Sequence, residues 1–512
     1  MRASSISATS GAASYPDEGG LLPWLFTLDH KRVALLQLAG VLLAILFGSG
    51  LAAAMTAERL LQVSGDLSRA RFGSAMTAHG VVMVFLVVLP GLAATLGSFL
   101  MPLQLGARNV AFPRLHLASL YLWGIAALYL VHSVLSGTPE VGWRLAPPLA
   151  LAAGGGLKHL AIAIGLLAGS AALRSVTFLV TIHQQRRQGL TWSQLPPLSL
   201  TVYAQSAVQL IGAPVLILTL ILLLAEQHLG TGLFDPKNGG DPSLYTHFFW
   251  FGTHALLYSC ALPAAGVIAE VLKTSARRPL FAPRSLRASV ALFAVLTLLG
   301  YAVHLSSRSG SVLTAALGSL PTLLLGVPVS LFFLVWLGTL RKGRIVLSGA
   351  LLAALGAATC WFVGAASGLL LAVPSLSSHL GGTVFVTAHA HYLTVGGIGL
   401  SALAGLFLWW PRIAGRTLPE PLARLSAVLW AAGVHVTFFP QLVLGSRGLP
   451  RAMAALPTDF ALLQWVSVGG MLVLIVGLST AMAALVTARR GRDGTTPNPL
   501  GLQDLECASP RC

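Results

Sequence analysis

Runs of about 20 apolar residues recur along nearly the whole chain, and this recurrence limits the fold more than any single motif does. Twenty residues of helix rise about 30 Å, the thickness of a bilayer's hydrocarbon core. Inside that core an unpaired backbone N–H or C=O costs several kcal/mol, so only a helix or a closed barrel can cross. The runs are too long and too uniformly apolar for barrel strands, which alternate. They predict an all-α integral membrane protein with about twelve transmembrane helices. The expected spans cover residues 33–54, 75–101, 115–136, 151–181, 200–227, 246–272, 287–305, 311–340, 346–374, 382–411, 422–445 and 461–487. With 55% hydrophobic and 9% charged residues, a soluble enzyme is excluded. The chain reads as a tail (1–22), one membrane domain (23–487) and a second tail (488–512).

The net charge of +17 is not spread evenly. Twenty basic residues fall in one set of alternate loops and nine in the other. By the positive-inside rule, both termini are cytoplasmic. This distribution accounts for the basic balance without nucleic acid as a partner. The first 20 or so residues are polar and small and lack a signal-peptide pattern, so a disordered tail is expected there and after residue 488. Four cysteines make no disulfide framework; Cys507 and Cys512 read as reduced thiols in a solvated tail.

Histidines are costly inside lipid and need partners. His389 and His391, in Thr387-Ala-His-Ala-His-Tyr392, lie two residues apart inside the tenth run. On a helix they point about 200° from each other, so one helix can serve two separate metal cofactors. The expected topology places His79, His254, His389 and His391 roughly 6–14 Å below the outer surface, and the seventh span ends near His304 on that side. Four helices thus bring five histidines to one layer, and imidazole suits iron and copper. His132, His159, His183, His228, His247, His379 and His435 read as solvated, interfacial or packed.

At these residues the chain resembles subunit I of the haem-copper oxidases, the cytochrome c oxidase family. The resemblance runs from about residue 24 to 455. It is carried by Trp24-Leu-Phe-Thr-Leu-Asp-His-Lys-Arg32, Thr77-Ala-His-Gly-Val-Val-Met-Val-Phe85, Gly106-Ala-Arg-Asn-Val-Ala-Phe-Pro-Arg114, His247-Phe-Phe-Trp-Phe-Gly-Thr-His254, the His389/His391 motif, Thr437-Phe-Phe-Pro-Gln441 and Gly448-Leu-Pro-Arg451. It implies a subunit I helix bundle in a bacterial-type inner (cytoplasmic) membrane. It also implies two haems and a copper. His79 and His391 would ligate a low-spin haem, His389 a high-spin haem, and His254 and His304 the copper. Tyr258, one turn after His254, would donate an electron and a proton to O2, and Arg451 would pair with a haem propionate. Expected partners are a c-type cytochrome, other oxidase subunits including a copper- or cytochrome-bearing subunit II, and the lipid bilayer. The chain itself has no Cys-rich copper motif for electron entry.

The chain also departs from the family pattern. Val303 stands where a third copper histidine is usual, which leaves three outcomes open: weak copper binding, recruitment of another ligand, or no copper. Ala255-Leu256 replace Pro-Glu, Asn109 replaces an acid, Pro328 aligns loosely with a lysine, Gly381-Gly382 replace a His-Asp pair, and Ala452 replaces a second arginine. All fifteen acidic residues fall in tails, loops or near helix ends, and no charge is expected at the midplane. Buried proton relays generally use carboxylates, so weak or absent proton pumping is expected. Three alternatives stay open: a nitric oxide reductase-like enzyme, a haem-binding paralogue without oxidase activity, and a twelve-span transporter.

Overall fold

The computed structural model describes residues 20, 22–60, 66–306, 311–341, 343–453 and 458–489. Most of both predicted tails, including Cys507 and Cys512, lies outside these residues. Among the described residues, twelve helices are long and apolar enough to cross a membrane. They are α1 (His30–Arg59), α2 (Ala70–Leu105), α3 (Pro113–Leu135), α4 (Gly156–Gln184), α5 (Pro197–Leu229), α6 (Pro242–Ser275), α7 (Pro283–Leu305), α8 (Val312–Leu340), α9 (Gly349–Ala372), α10 (Val384–Ala414), α11 (Glu420–Ser446) and α12 (Thr458–Val486). Each overlaps one expected span. The ends differ where caps decide them. Pro starts α3, α5, α6 and α7, where its missing N–H costs nothing. Asp241 caps α6 by accepting from the Ser243 N–H at 2.8 Å. α4 begins at Gly156 rather than 151, because residues 151–153 form only a tight single turn.

Burial separates inner from outer helices. The apolar stretches of α6, α2 and α10 are 83%, 67% and 61% buried, against 17% for α1 and 28% for α12. The three central helices are those that carry His254, His79 and the His389/His391 pair. The outer helices turn Leu43, Val312, Phe362 and Leu462 outward, as lipid-facing surfaces require. Close packing between helices depends on small residues. A Cβ on Gly470 of α12 would come within 2.4 Å of the Thr437 backbone nitrogen of α11, so only glycine permits this approach.

Two central helices are locally widened to i→i+5 turns. In α2 the widening covers Val82–Val88 and Ala93–Gly97, around Pro90. In α10 it covers Tyr392–Gly399. Proline removes a helical hydrogen bond and crowds the preceding turn, which gives α2 a local cause. Both widenings begin within three residues after a histidine of interest, and such bulges are frequent at functional sites.

The segment after α11 folds back along the start of α10. The Val384 N–H donates to the Leu449 carbonyl at 2.9 Å, and the Arg451 N–H to the Gly382 carbonyl at 3.2 Å. Arg59 then donates to the Arg451 and Met453 carbonyls at 3.0 and 3.1 Å. Arg451 is therefore held at the same end of α10 as the histidine pair.

Candidate metal centre

A bond-length yardstick makes the histidine spacing informative. An imidazole nitrogen sits about 2 Å from a first-row metal, which puts the ring centroid roughly 3.2 Å away. Two ligands on opposite sides then have centroids about 6.4 Å apart, and two ligands at 90–120° about 4.5–5.5 Å apart.

His79 of α2 and His391 of α10 have centroids 6.2 Å apart, with ring planes within 11°. That spacing fits two trans ligands on one ion. His391 also lies over Phe438 of α11, at 4.6 Å. His389, on the opposite face of α10, turns to α9 instead: its Nδ1 pairs with the Gly364 carbonyl at 3.0 Å and with the Ser367 hydroxyl at 3.1 Å. His254 of α6 and His304 of α7 have centroids 5.5 Å apart at 65°, in the range of two ligands at an open angle.

The hydrogen bonds fix the ring tautomers. The Nδ1 atoms of His79, His254, His389 and His391 face the carbonyls of Gly48, Thr297, Gly364 and Thr387 at 2.9, 2.8, 3.0 and 2.7 Å. A carbonyl only accepts, so each Nδ1 carries the proton and each Nε2 keeps a lone pair. Metal-ligating histidines use this arrangement: the second nitrogen donates to a backbone or carboxylate oxygen. Among the described residues, the Nε2 atoms of His254 and His304 are buried without a hydrogen-bond partner. Such orphaned acceptors are costly unless something else occupies them, and a metal ion fits.

Surrounding residues leave little room for error. A Cβ on Gly300 would fall 2.8 Å from His254 Cε1, and one on Gly368 would fall 2.8 Å from His389 Cε1. Trp250 stacks on His304 at 3.6 Å and 13°, and Trp143 meets Trp250 edge-on at 5.8 Å. Tyr258 is one turn from His254, with centroids 3.8 Å apart and planes within 18°. Val303 precedes His304 and offers no ligand. Among the described residues, no group of three or more His, Cys, Asp or Glu could hold a metal ion. The His254–His304 site is thus a pair. Burial pushes the Arg451 guanidinium below its usual value, in keeping with a cation held partly out of water.

One expectation needs correction. Arg174, 18 residues into α4 and ten before its end, is a charge within the membrane layer, only 2% exposed. Among the described residues it makes no ion pair with a carboxylate, and the Cys260 thiol of α6 is in electrostatic reach. A single arginine in an apolar run barely alters the run's hydropathy, so span-finding passes over it. Sequence reasoning also missed Trp143 and Trp250 as walls of the centre. The spacing of four between Trp250 and His254 was the available signal for Trp250. No such signal existed for Trp143, which reaches the centre from the loop between α3 and α4. The carbonyls of Gly48, Thr297 and Gly364 could not be found from sequence at all, because they come from other helices.

The sequence and the fold both have known relatives. The family model for cytochrome c and quinol oxidase polypeptide I matches residues 32–473. Cytochrome c oxidase subunit 1 of Synechocystis is 32% identical over 470 residues, covering 92% of this chain and 85% of that protein. A probable quinol oxidase subunit 1 of Staphylococcus epidermidis is 30% identical, covering 94% of this chain and 73% of that one. A haem-copper terminal oxidase dimer solved by electron cryo-microscopy superposes with a TM-score of 0.78 at 17% identity, over 92% of this chain and 86% of its own. The chain belongs to the cytochrome c and quinol oxidase polypeptide I family, the membrane-embedded subunit I of the haem-copper oxidases.

Proposed function

We propose that this chain is the haem-bearing subunit of a respiratory terminal oxidase, drawing electrons from a c-type cytochrome to reduce O2 to water, with weak or absent proton pumping. The observation that carries this reading is the combination of a parallel His79–His391 couple, 6.2 Å apart, with a His254–His304 couple 5.5 Å apart. In this reading His79 and His391 hold a low-spin haem, His389 a high-spin haem, and His254 with His304 a copper. When bound, these groups supply the electron transfer and the oxygen-reducing site.

The chain's own groups do the rest. The four backbone carbonyls hold the imidazoles as Nδ1–H tautomers and aim each Nε2 lone pair. Tyr258, stacked against His254, gives up a proton from its phenol oxygen at the site of chemistry. Arg451, anchored through its backbone to Gly382, would pair with a haem propionate. Protons for water formation travel by hydroxyls and water. The sequence offers no carboxylate near the midplane for a pumping relay. The loop charge bias supports both termini on the cytoplasmic side of a bacterial-type inner membrane. A separate copper- or cytochrome-bearing subunit II supplies electron entry, because this chain has no Cys-rich copper motif.

One observation favours a second reading. A two-imidazole site holds copper less firmly than three, so a nitric oxide reductase-like enzyme or a haem-binding paralogue without oxidase activity is the alternative. Infrared spectra of the reduced, CO-bound protein at low temperature, before and after a flash of light, separate them. Capture of freed CO by copper, seen as a second C–O stretch, is expected. A haem–CO band alone would overturn the copper assignment to His254 and His304.

A further inference from the structure

Outside the central layer, two histidines meet where no function has been assigned. His132 lies in the last turn of α3 and His159 in the first turn of α4. From sequence both read as packed or solvated. The structure places their rings 4.7 Å apart, crossed at 69°. On the same yardstick this is the spacing of two ligands near a right angle on one ion. His132 is exposed and His159 half-buried, so an ion can reach them from solvent. The polar contact on His132 is a long one, Nε2 to the Ser136 hydroxyl at 3.5 Å. The Tyr129 ring lies 6.1 Å from that of His159.

We propose that His132 and His159 form a second metal site for a divalent late first-row ion, taking Cu2+ in preference to Zn2+ and completing its coordination with water. The chemistry follows from the donors: two imidazoles, with no thiolate or carboxylate joining them among the described residues. Such a set selects copper, zinc or nickel over calcium or magnesium, and among these copper binds tightest. Without an ion, an edge-on ring pair is a weak contact. With one, the pair pins both ends of the 136–155 connection. That connection carries Trp143, which meets Trp250, which in turn stacks on His304. The site therefore clamps the loop that walls the central layer. It does not depend on the proposed oxidase activity.

The test uses the full-length holoprotein, washed with chelator and titrated with Cu2+. Electron paramagnetic resonance is expected to show one additional tetragonal copper per chain, coupled to two nitrogens. His132→Leu and His159→Leu should each weaken binding by more than about tenfold and leave coupling to one nitrogen, with haem absorbance unchanged. Absence of an additional copper on the unaltered protein overturns the proposal, even if neither variant assembles. Binding that survives both substitutions also overturns it and places the copper elsewhere.

Discussion

At the scale of single residues, the centre is defined by which nitrogen of each ring is free. Tyr258→Phe removes the phenol proton and leaves the ring's packing on His254 intact. Oxygen consumption should fall by about two to four orders of magnitude with unchanged haem spectra, as expected for loss of a proton donor. An unaltered rate would remove Tyr258 from the chemistry. Val303→His is the opposite experiment. It adds an imidazole beside His304, and copper retention after chelator dialysis should rise, read as copper per haem. The identities of the five histidines were legible in sequence, because an imidazole in lipid is conspicuous. Their tautomers were not, because these depend on carbonyls from α1, α7 and α9 as well as α10.

At the scale of helices, position is set by small residues and caps. Gly368→Ala puts a methyl 2.8 Å from the His389 ring, and neither α9 nor α10 can easily withdraw. If His389 holds the high-spin haem as proposed, that haem's signal should weaken while the low-spin signal persists; equal loss of both would mean the helix pair moves as a block. The Asp241 cap of α6 has a pH signature. The Ser243 hydroxyl and N–H hold its carboxyl below the usual value. A depressed folded pKa means the stabilisation is present above the ordinary carboxylate range and is lost as pH falls through the folded value. Asp241→Asn should therefore flatten the acid side of a thermal-stability profile in detergent. The existence of all twelve helices was evident from apolar run length. The widened turns after His79 and His391 were not, because run length and hydropathy do not report how a helix's turns are wound.

At the scale of the whole molecule, charge placement bears on energy conversion. In proteoliposomes, proton ejection per electron should be near zero once the protons consumed in water formation are counted; robust ejection would show a relay that needs no midplane carboxylate. The arginine at Arg174 marks the limit of reading such a fold from sequence. Its burial depends on α4 being covered by neighbours, which a hydropathy pattern does not report. The sequence by itself determined that the chain crosses a membrane about twelve times, and it singled out the five histidines as candidates for one layer. Length, apolarity and helical periodicity are local properties, and lipid leaves the backbone almost no alternative to the helix. Only the tertiary structure decided which helices became central and which rings paired at ligand spacing. It also brought His132 and His159 together. Those outcomes depend on contacts between residues tens to hundreds of positions apart, fixed by how small residues let the helices approach.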